Sequence, residues 1–378
     1  MEHDRCAERQ ILMLVALALT VPAVALPGRL AETAGGIGWV APLLALPGAL
    51  LLAFLLGELG DLPGALQKAW GKRAGRGALA VYLAWYLGLA ALYAKGCMGR
   101  LGATGTSKVA AAAVAAAVTA VAIWQARGKL CAFCRGGELF FFVMMAAVGG
   151  VLLLSVPHIR LGYLARSADW GGLGKALGAT LSVVSLGTLG GFLAGRVTPR
   201  EGDRKRRMGY AAGICLGAAL LAAAVIGRLG PTLTGELPAP FFTMVQALGV
   251  KGAFQRVEGP LAALWLLGDL ALVGLLAFGG KAIASALLGD RAGKLAAWGL
   301  PAVGWILGAG MTDELAIFLR EGTGVVNLTL GFLVPLGTWL KLRQKGRGGG
   351  MSTSSGGLRG EGKDVVGDCH CKKRVGKK

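Results

Sequence analysis

Charged residues are scarce in this chain: they make up only 16% of its 378 residues, whereas 54% of the residues are hydrophobic. The mean hydropathy is +0.61. Such a composition excludes a soluble globular protein of this length and indicates one that crosses a membrane several times. Acidic residues are the scarcest, 20 against 40 Lys and Arg, so the formal charge is +20. This charge does not indicate nucleic-acid binding, because the basic residues cluster in short loops and in the C-terminal tail.

Catalytic motifs are also missing from the predicted spans, which contain no P-loop, no serine-centred nucleophile elbow and no cluster of metal ligands. The sequence therefore predicts no enzyme, no cofactor and no bound metal. The seven cysteines are an odd number scattered over spans and tails, which excludes a disulfide framework.

Two short cysteine motifs need separate interpretation. Cys131 and Cys134 form a CxxC beside a predicted span, which leaves a membrane thiol oxidoreductase as a remote alternative. Against it, the predicted face is cytoplasmic and reducing, and no second cysteine pair lies opposite. In the tail, Cys369, His370 and Cys371 offer fewer ligands than a closed zinc site needs, and we interpret them as incidental.

Ten apolar segments of transmembrane length follow one another along the chain. The first resembles a signal peptide, but acidic residues precede it and many spans follow, so we interpret it as a retained span. We expect spans at about residues 10–29, 37–58, 78–99, 107–126, 136–156, 173–195, 208–228, 259–280, 293–311 and 323–342.

Basic residues alternate between the connecting loops. The loops after spans 2, 4 and 6 and the start of the tail are rich in Lys and Arg, and the opposite loops are poorer. The positive-inside rule then places both termini in the cytoplasm. We expect a transmembrane domain at residues 1–345 and a disordered basic cytoplasmic tail at residues 346–378.

Two short amphipathic stretches lie between the spans. Leu62–Trp70 is expected to form an interfacial helix on the inner side, with Trp70 as its anchor. Residues 240–249 (PFFTMVQALG) are too few to span, so they predict a helix that lies on the membrane or caps the outer mouth.

The first span carries two prolines, Pro22 and Pro27, next to Thr20. Each proline removes a backbone donor and clashes with the preceding turn, so this span is predicted to be interrupted. Either it is simply a kinked helix, or the freed backbone groups form part of a binding site.

Span 6 contains a matching weak point, with hydroxyls and glycines crowded into its centre: Ser182, Ser185, Gly187, Thr188, Gly190 and Gly191. Ten spans divide into repeats of five, about residues 10–156 and 173–342, and an odd repeat length inverts the second copy. The predicted fold is therefore an all-α polytopic membrane protein with ten transmembrane helices in a five-plus-five inverted repeat and discontinuous helices 1 and 6. A matched pair of broken segments predicts a ligand site near the bilayer midplane.

Three further polar side chains lie within the predicted spans. Glu138 follows Arg135 by three residues, so the two are expected to pair on one helix face. Asp269 lies deep in span 8 and is expected to face an aqueous cavity or a cation, or else to accept a hydrogen bond from a hydroxyl such as Thr20. Tyr86 is expected either to line a ligand cavity or to belong to an interface belt. The predicted ligand-binding residues are Thr20, Pro22, Tyr86, Ser185, Gly187, Thr188, Gly190 and Asp269.

Several motifs along the chain share a family pattern: Arg9-Gln10 with Leu26-Pro27, Ala34-Gly35 with Gly38-Trp39, GKLCAFCRGGELF at 128–140 and FQRVEGPLAALWLLG at 254–268. Through them, over about residues 9–345, the chain resembles the permease-like B subunit of spore germinant receptors. That family is a branch of the amino acid–polyamine–organocation transporter superfamily. The resemblance implies the ten-helix fold, a small nutrient germinant such as an amino acid, and a place in the inner membrane of an endospore. It also implies two partners, a larger membrane subunit and a lipoprotein.

Two functions of different class remain open. In one, the protein senses a germinant between spans 1, 3, 6 and 8 and passes the change to its partner subunits. In the other, it is a secondary transporter of an amino acid or another small solute. Both use the same fold, and a fold does not determine a function.

Overall fold

The computed structural model describes residues 6–103, 105–198, 202–247 and 258–349. Fifteen α-helices form almost all of this part: α1 Glu8–Ala23, α2 Leu26–Ala34, α3 Ala41–Leu44, α4 Leu46–Leu59, α5 Leu62–Ala103, α6 Lys108–Arg127, α7 Leu130–Ser155, α8 Leu173–Ser185, α9 Asp203–Leu229, α10 Pro231–Glu236, α11 Pro240–Gln246, α12 Glu258–Leu288, α13 Asp290–Gly310, α14 Asp313–Leu328 and α15 Val334–Gly349. Short 3₁₀ helices lie at Gly35–Val40, Val156–His158, Leu161–Leu164, Leu186–Phe192 and Ala194–Arg196, and a π-helix at Thr329–Leu333. Two strands of two residues each, β1 Cys6–Ala7 and β2 Val197–Thr198, pair in parallel.

Within these residues, eight helical segments are long and apolar enough to cross a membrane. They coincide with eight of the ten predicted spans, and the chain is an all-α multi-pass membrane protein. The first and ninth predicted spans are helical but are not among the eight. The first is short, because α1 has only 16 residues before the chain turns. The ninth, α13, contains Pro301 together with several glycines and tryptophans, which lower its hydropathy.

Helix α12 lies at the centre of the molecule. In its apolar stretch 67% of the residues are buried by protein, against 17% in α7, which therefore presents most of its surface outward. Small residues allow this close packing. A side chain at Gly279 of α12 would collide with the ring of Tyr86, and one at Gly304 of α13 would collide with Ala90 of α5.

The two predicted amphipathic helices are both present. Helix α5 is broken at Gly71, which has φ +83°, so its first part ends at Trp70 as the sequence predicts. Helix α11 covers Pro240–Gln246, and residues 248 and 249 lie outside the described ranges. Phe241 and Val245 are fully buried, which favours a helix that caps the outer mouth over one that lies on the membrane. The Phe241 ring lies 5.0 Å from that of Trp265, so α11 packs inward against α12.

Helix α15 continues to Gly349, beyond the residue at which the tail was expected to begin. Residues 350–378, with Cys369, His370 and Cys371, lie outside the described part of the chain.

Candidate functional site

The first apolar segment is interrupted where the prolines predict. Helix α1 ends at Ala23, Val24 and Ala25 form a turn, and α2 begins at Leu26. The turn closes on its own backbone, since the Val24 amide donates to the Thr20 carbonyl at 3.2 Å. We refer to Glu8–Ala34 as the first interrupted segment.

The second interrupted segment, Leu173–Phe192, changes its helical form at the predicted weak point. Helix α8 ends at Ser185, and Leu186–Phe192 continues as a 3₁₀ helix. Gly190 packs against α1, where a side chain would approach Val15 Cγ2 to 2.8 Å. The glycines therefore allow the two interrupted segments to come into contact.

A cavity of about 460 Å³, the large cavity, lies between α1, α4, the 3₁₀ helix Leu186–Phe192 and α9. Charged residues lie along the parts of its wall near the starts of α1 and α9: Glu8, Asp203, Arg204 and Arg207. Glu8 and Arg207 form an ion pair there. Most of the remaining wall is apolar and includes Gly187 and Gly190. A side chain at Gly187 would meet no atom within 4 Å, so this position faces open space.

A second cavity of about 110 Å³ lies at the turn between α1 and α2. We call it the arginine cavity, because Arg29 of α2, Arg100 of α5 and Arg320 of α14 line it. Pro22 and Ser182, one from each interrupted segment, also form part of its wall.

The two cavities divide the interrupted segments between them without sharing a residue. In the first segment, residues 8–19 line the large cavity and residues 21–29 the arginine cavity. In the second, Val184, Gly187, Gly190 and Gly191 line the large cavity, whereas Ser182, Val183 and Leu186 line the arginine cavity. Each interrupted segment therefore contributes residues to both cavities.

The predicted ligand-binding residues do not form one site. Pro22 lines the arginine cavity, and Gly187 and Gly190 line the large cavity. The other five residues line neither cavity, and each makes a contact within the protein. The Asp269 carboxylate pairs with the Arg100 guanidinium. The hydroxyls of the other four donate to backbone carbonyl oxygens: Thr20 to Leu17, Tyr86 to Leu189, Ser185 to Ser182 and Thr188 to Gly331.

Asp269 faces a cation, which is one of the surroundings predicted for it. Its carboxylate lines neither cavity and forms an ion pair with Arg100. Only 4% of the Asp269 side chain is exposed, so the pair is buried. The sequence placed Arg100 beyond the end of a span at residues 78–99, whereas α5 continues to Ala103 and brings Arg100 beside α12.

The ion pair predicted between Arg135 and Glu138 is not the one that forms. The Glu138 carboxylate pairs with Arg9 and accepts a hydrogen bond from Gln10 Nε2 at 3.2 Å. Both partners lie at the start of α1, which packs against α7. The spacing of Arg135 and Glu138 along one helix does not reveal that the start of α1 lies closer to Glu138.

Sequence reasoning missed a polar chain next to the arginine cavity. Trp85 Nε1 donates to Asn327 Oδ1 at 2.9 Å, and Asn327 Nδ2 donates to Ser182 Oγ at 3.3 Å. This chain joins α5, α14 and α8. Asn327 is the signal that could have revealed this chain, because an asparagine side chain deep in a span needs hydrogen-bond partners.

The cysteine motif contributes no centre of its own. Cys134 is buried and Cys131 partly buried, and neither forms a disulfide. Within the described ranges, no group of three or more His, Cys, Asp and Glu residues is placed to hold a metal ion.

Comparison with known proteins gives no match: no family model fits the chain, and no curated protein is significantly similar to it.

Proposed function

We propose that this chain is a permease-like protein that binds a small solute between its two interrupted segments, and that it serves as the permease-like subunit of a spore germinant receptor. The observation that supports solute binding is the pair of cavities lined by the same two segments. Irregular backbone at membrane depth is tolerated where protein or a water-filled cavity satisfies it. The germination role rests on the sequence motifs between residues 9 and 268.

In this proposal the fold has ten transmembrane helices in a five-plus-five inverted repeat. The first interrupted segment is span 1 and α13 is span 9. Helix α13 has 21 residues. At about 1.5 Å per residue it is about 30 Å long, enough to cross the hydrocarbon core. The breaks at Val24–Ala25 and at Ser185–Leu186 then fall in equivalent spans of the two repeats.

Both termini are cytoplasmic in this arrangement. The large cavity then opens toward the cytoplasm, because its charged residues Arg204 and Arg207 belong to the strongly basic loop region after span 6. The arginine cavity lies toward the outer face, where a receptor in the inner membrane of a spore would meet a germinant.

A secondary transporter of an amino acid or other small solute is the second candidate. The observation that favours it is the inequality of the cavities, about 460 Å³ against about 110 Å³. Alternating access requires a solute site that is open on one side and nearly closed on the other. Two cavities of unequal size would suit that form, but a receptor that borrowed a transporter fold would keep it.

The proposed partners are a larger membrane subunit and a lipoprotein. Helices α7 and α14 present large apolar side chains outward, including Phe142 and Phe318. Such faces suit both lipid and a neighbouring membrane subunit. Because these faces do not distinguish lipid from a protein partner, the partners are proposed from the sequence motifs alone.

Gene deletion in an endospore former, combined with uptake by the purified protein in vesicles, tests the proposal. For a receptor subunit, spores without the protein should form normally but stop responding to one nutrient, and vesicles should show no concentrative uptake. Normal germination together with uptake in vesicles would contradict the receptor role and support the transporter. Neither effect, in spores or in vesicles, would contradict both.

A further inference from the structure

Three guanidinium groups from three separate helices meet at the arginine cavity. Arg29 comes from α2, Arg100 from α5 and Arg320 from α14. The three side chains line the same cavity, so charges of one sign are gathered there. The lining residues include no Asp or Glu.

Only one of the three has an acidic partner within the described residues. Arg100 is neutralised by Asp269. Neither Arg29 nor Arg320 takes part in an ion pair or a side-chain hydrogen bond in this part of the chain. Within the described residues, the cavity therefore carries two positive charges that have no acidic partner.

Arg29 is partly buried and Arg320 is exposed. A cleft lined by charges of one sign attracts ions of the opposite sign, so this cavity favours an anion. Guanidinium groups are well suited to it, because their planar donors match the two oxygens of a carboxylate. The third cation, Arg100, already pairs with Asp269.

The size and the remaining wall of the cavity restrict the anion further. Its volume is about 110 Å³. A protein cavity of about 150 Å³ accommodates benzene, so about four to six non-hydrogen atoms fit here. Leu26, Leu89 and Leu186 make part of the wall apolar. An anion with a short apolar part uses this wall, whereas inorganic phosphate does not.

Asp269 is not available to recognise an amino group, because Arg100 already pairs with its carboxylate. The polar side chains of Asn327 and Ser182 are also engaged, each with the other. The part of the wall that the structure describes thus provides cations for a carboxylate but no carboxylate for an ammonium group.

We propose that the arginine cavity binds a small organic carboxylate, held by Arg29 and Arg320, and does not require an amino group on it. This rests on the proposed function, since it names the class of solute for the same site.

Ligand binding to the purified full-length protein in detergent tests the proposal, with lactate, propionate, alanine and inorganic phosphate as probes in calorimetric titrations. Lactate and propionate should bind at least as tightly as alanine. Arg29→Gln and Arg320→Gln should each weaken lactate about tenfold or more, because each removes a charge-assisted hydrogen bond. Arg166→Gln is the matched control: it removes the same charge from an exposed loop residue outside the cavity and should leave affinity within about twofold.

Arg29→Lys distinguishes a binding role from a folding defect, because it keeps the charge and should retain part of the affinity. Three results would overturn the assignment: binding of alanine without lactate, binding of phosphate without either carboxylate, or an equal loss in Arg166→Gln. In each of these cases a solute still binds, so the permease-like function survives. If no probe binds and nutrient-induced germination of spores is also unchanged when the protein is deleted, the proposed function itself fails.

Discussion

Thr188 in the 3₁₀ helix of the second interrupted segment donates its hydroxyl hydrogen to the carbonyl oxygen of Gly331, 2.5 Å away in the π-helix Thr329–Leu333. Tyr82 of α5 donates in the same way to the neighbouring Leu330 carbonyl, also at 2.5 Å. A π turn changes the register of backbone hydrogen bonds and leaves carbonyl oxygens poorly paired. In a membrane these oxygens need partners from the protein. The irregular parts of two spans are therefore satisfied by side chains of their neighbours.

The first prediction removes this contact. Thr188→Val keeps the side-chain shape but leaves the Gly331 carbonyl without its donor. Because Thr188 is fully buried, water does not replace the hydroxyl. We expect the free energy of unfolding to fall by about 1–2 kcal/mol, measured by reversible unfolding in mixed micelles.

Thr119→Val provides the matched control. Thr119 is also buried, but its hydroxyl donates to the Ala115 carbonyl one turn earlier in its own helix, at 2.8 Å. That carbonyl keeps its backbone partner after the substitution, so little stability should be lost. Equal losses in the two variants would show that the contact with Gly331 has no special importance.

The interruptions could be predicted from the sequence, whereas their partners could not. Pro22, Pro27 and the glycines near Gly190 act on the local backbone, which a linear sequence shows directly. The π-helix at Thr329–Leu333 has no such local signal, since it depends on Thr188 and Tyr82 from elsewhere in the chain.

The same limit explains the ion pairs. Asp269 was identified as a carboxylate in need of compensation, but Arg100 is 169 residues away and was placed outside a span. Only the packing of α5 against α12 brings them together. The sequence therefore shows which charged side chains lie inside a span, but the residue that pairs with each one depends on tertiary contacts.

The second prediction concerns the large cavity. Gly187→Leu places a side chain of four carbon atoms in open space that the protein does not otherwise occupy. We expect solute binding, or the nutrient response of spores, to be lost while the amount of folded protein in the membrane stays normal. The measurements are ligand titration and germination assays, with immunoblotting for protein level.

Gly217→Leu in α9 is the control for that substitution. Gly217 is exposed and likewise has no atom near the position of a new side chain, but it does not line the large cavity. This variant should respond like the unmodified protein. A full response in both variants would exclude the large cavity from the solute site.

The third prediction concerns topology. The loop charges predict that the end of α9 lies outside and the start of the tail inside. A reporter that is active only in the cytoplasm should be silent when fused after Leu229 and active when fused after Lys345. A fusion after Gly128, in the basic loop that follows span 4, should match the one after Lys345. Equal activity at Leu229 and Lys345 would contradict the ten-span arrangement.

The last prediction concerns the buried pair of Arg100 and Asp269. Asp269→Asn keeps the shape of the side chain but leaves the Arg100 guanidinium without a counter-charge in the interior. Breaking a buried ion pair on one side costs about 3–5 kcal/mol, and we expect a loss of that order in the free energy of unfolding. The double variant Arg100→Gln with Asp269→Asn removes both charges and should recover much of the lost stability, because no uncompensated charge remains.

Asp313→Asn serves as the control. Asp313 pairs with Lys95 at 2.8 Å, but 83% of the Asp313 side chain is exposed. Water screens this pair, so little stability should be lost. Two outcomes would contradict this: Asp269→Asn as stable as the unmodified protein, or a double variant less stable than either single one. Either would show that Asp269 does not balance a buried charge on Arg100, and the assignment of charges at the arginine cavity would fail as well.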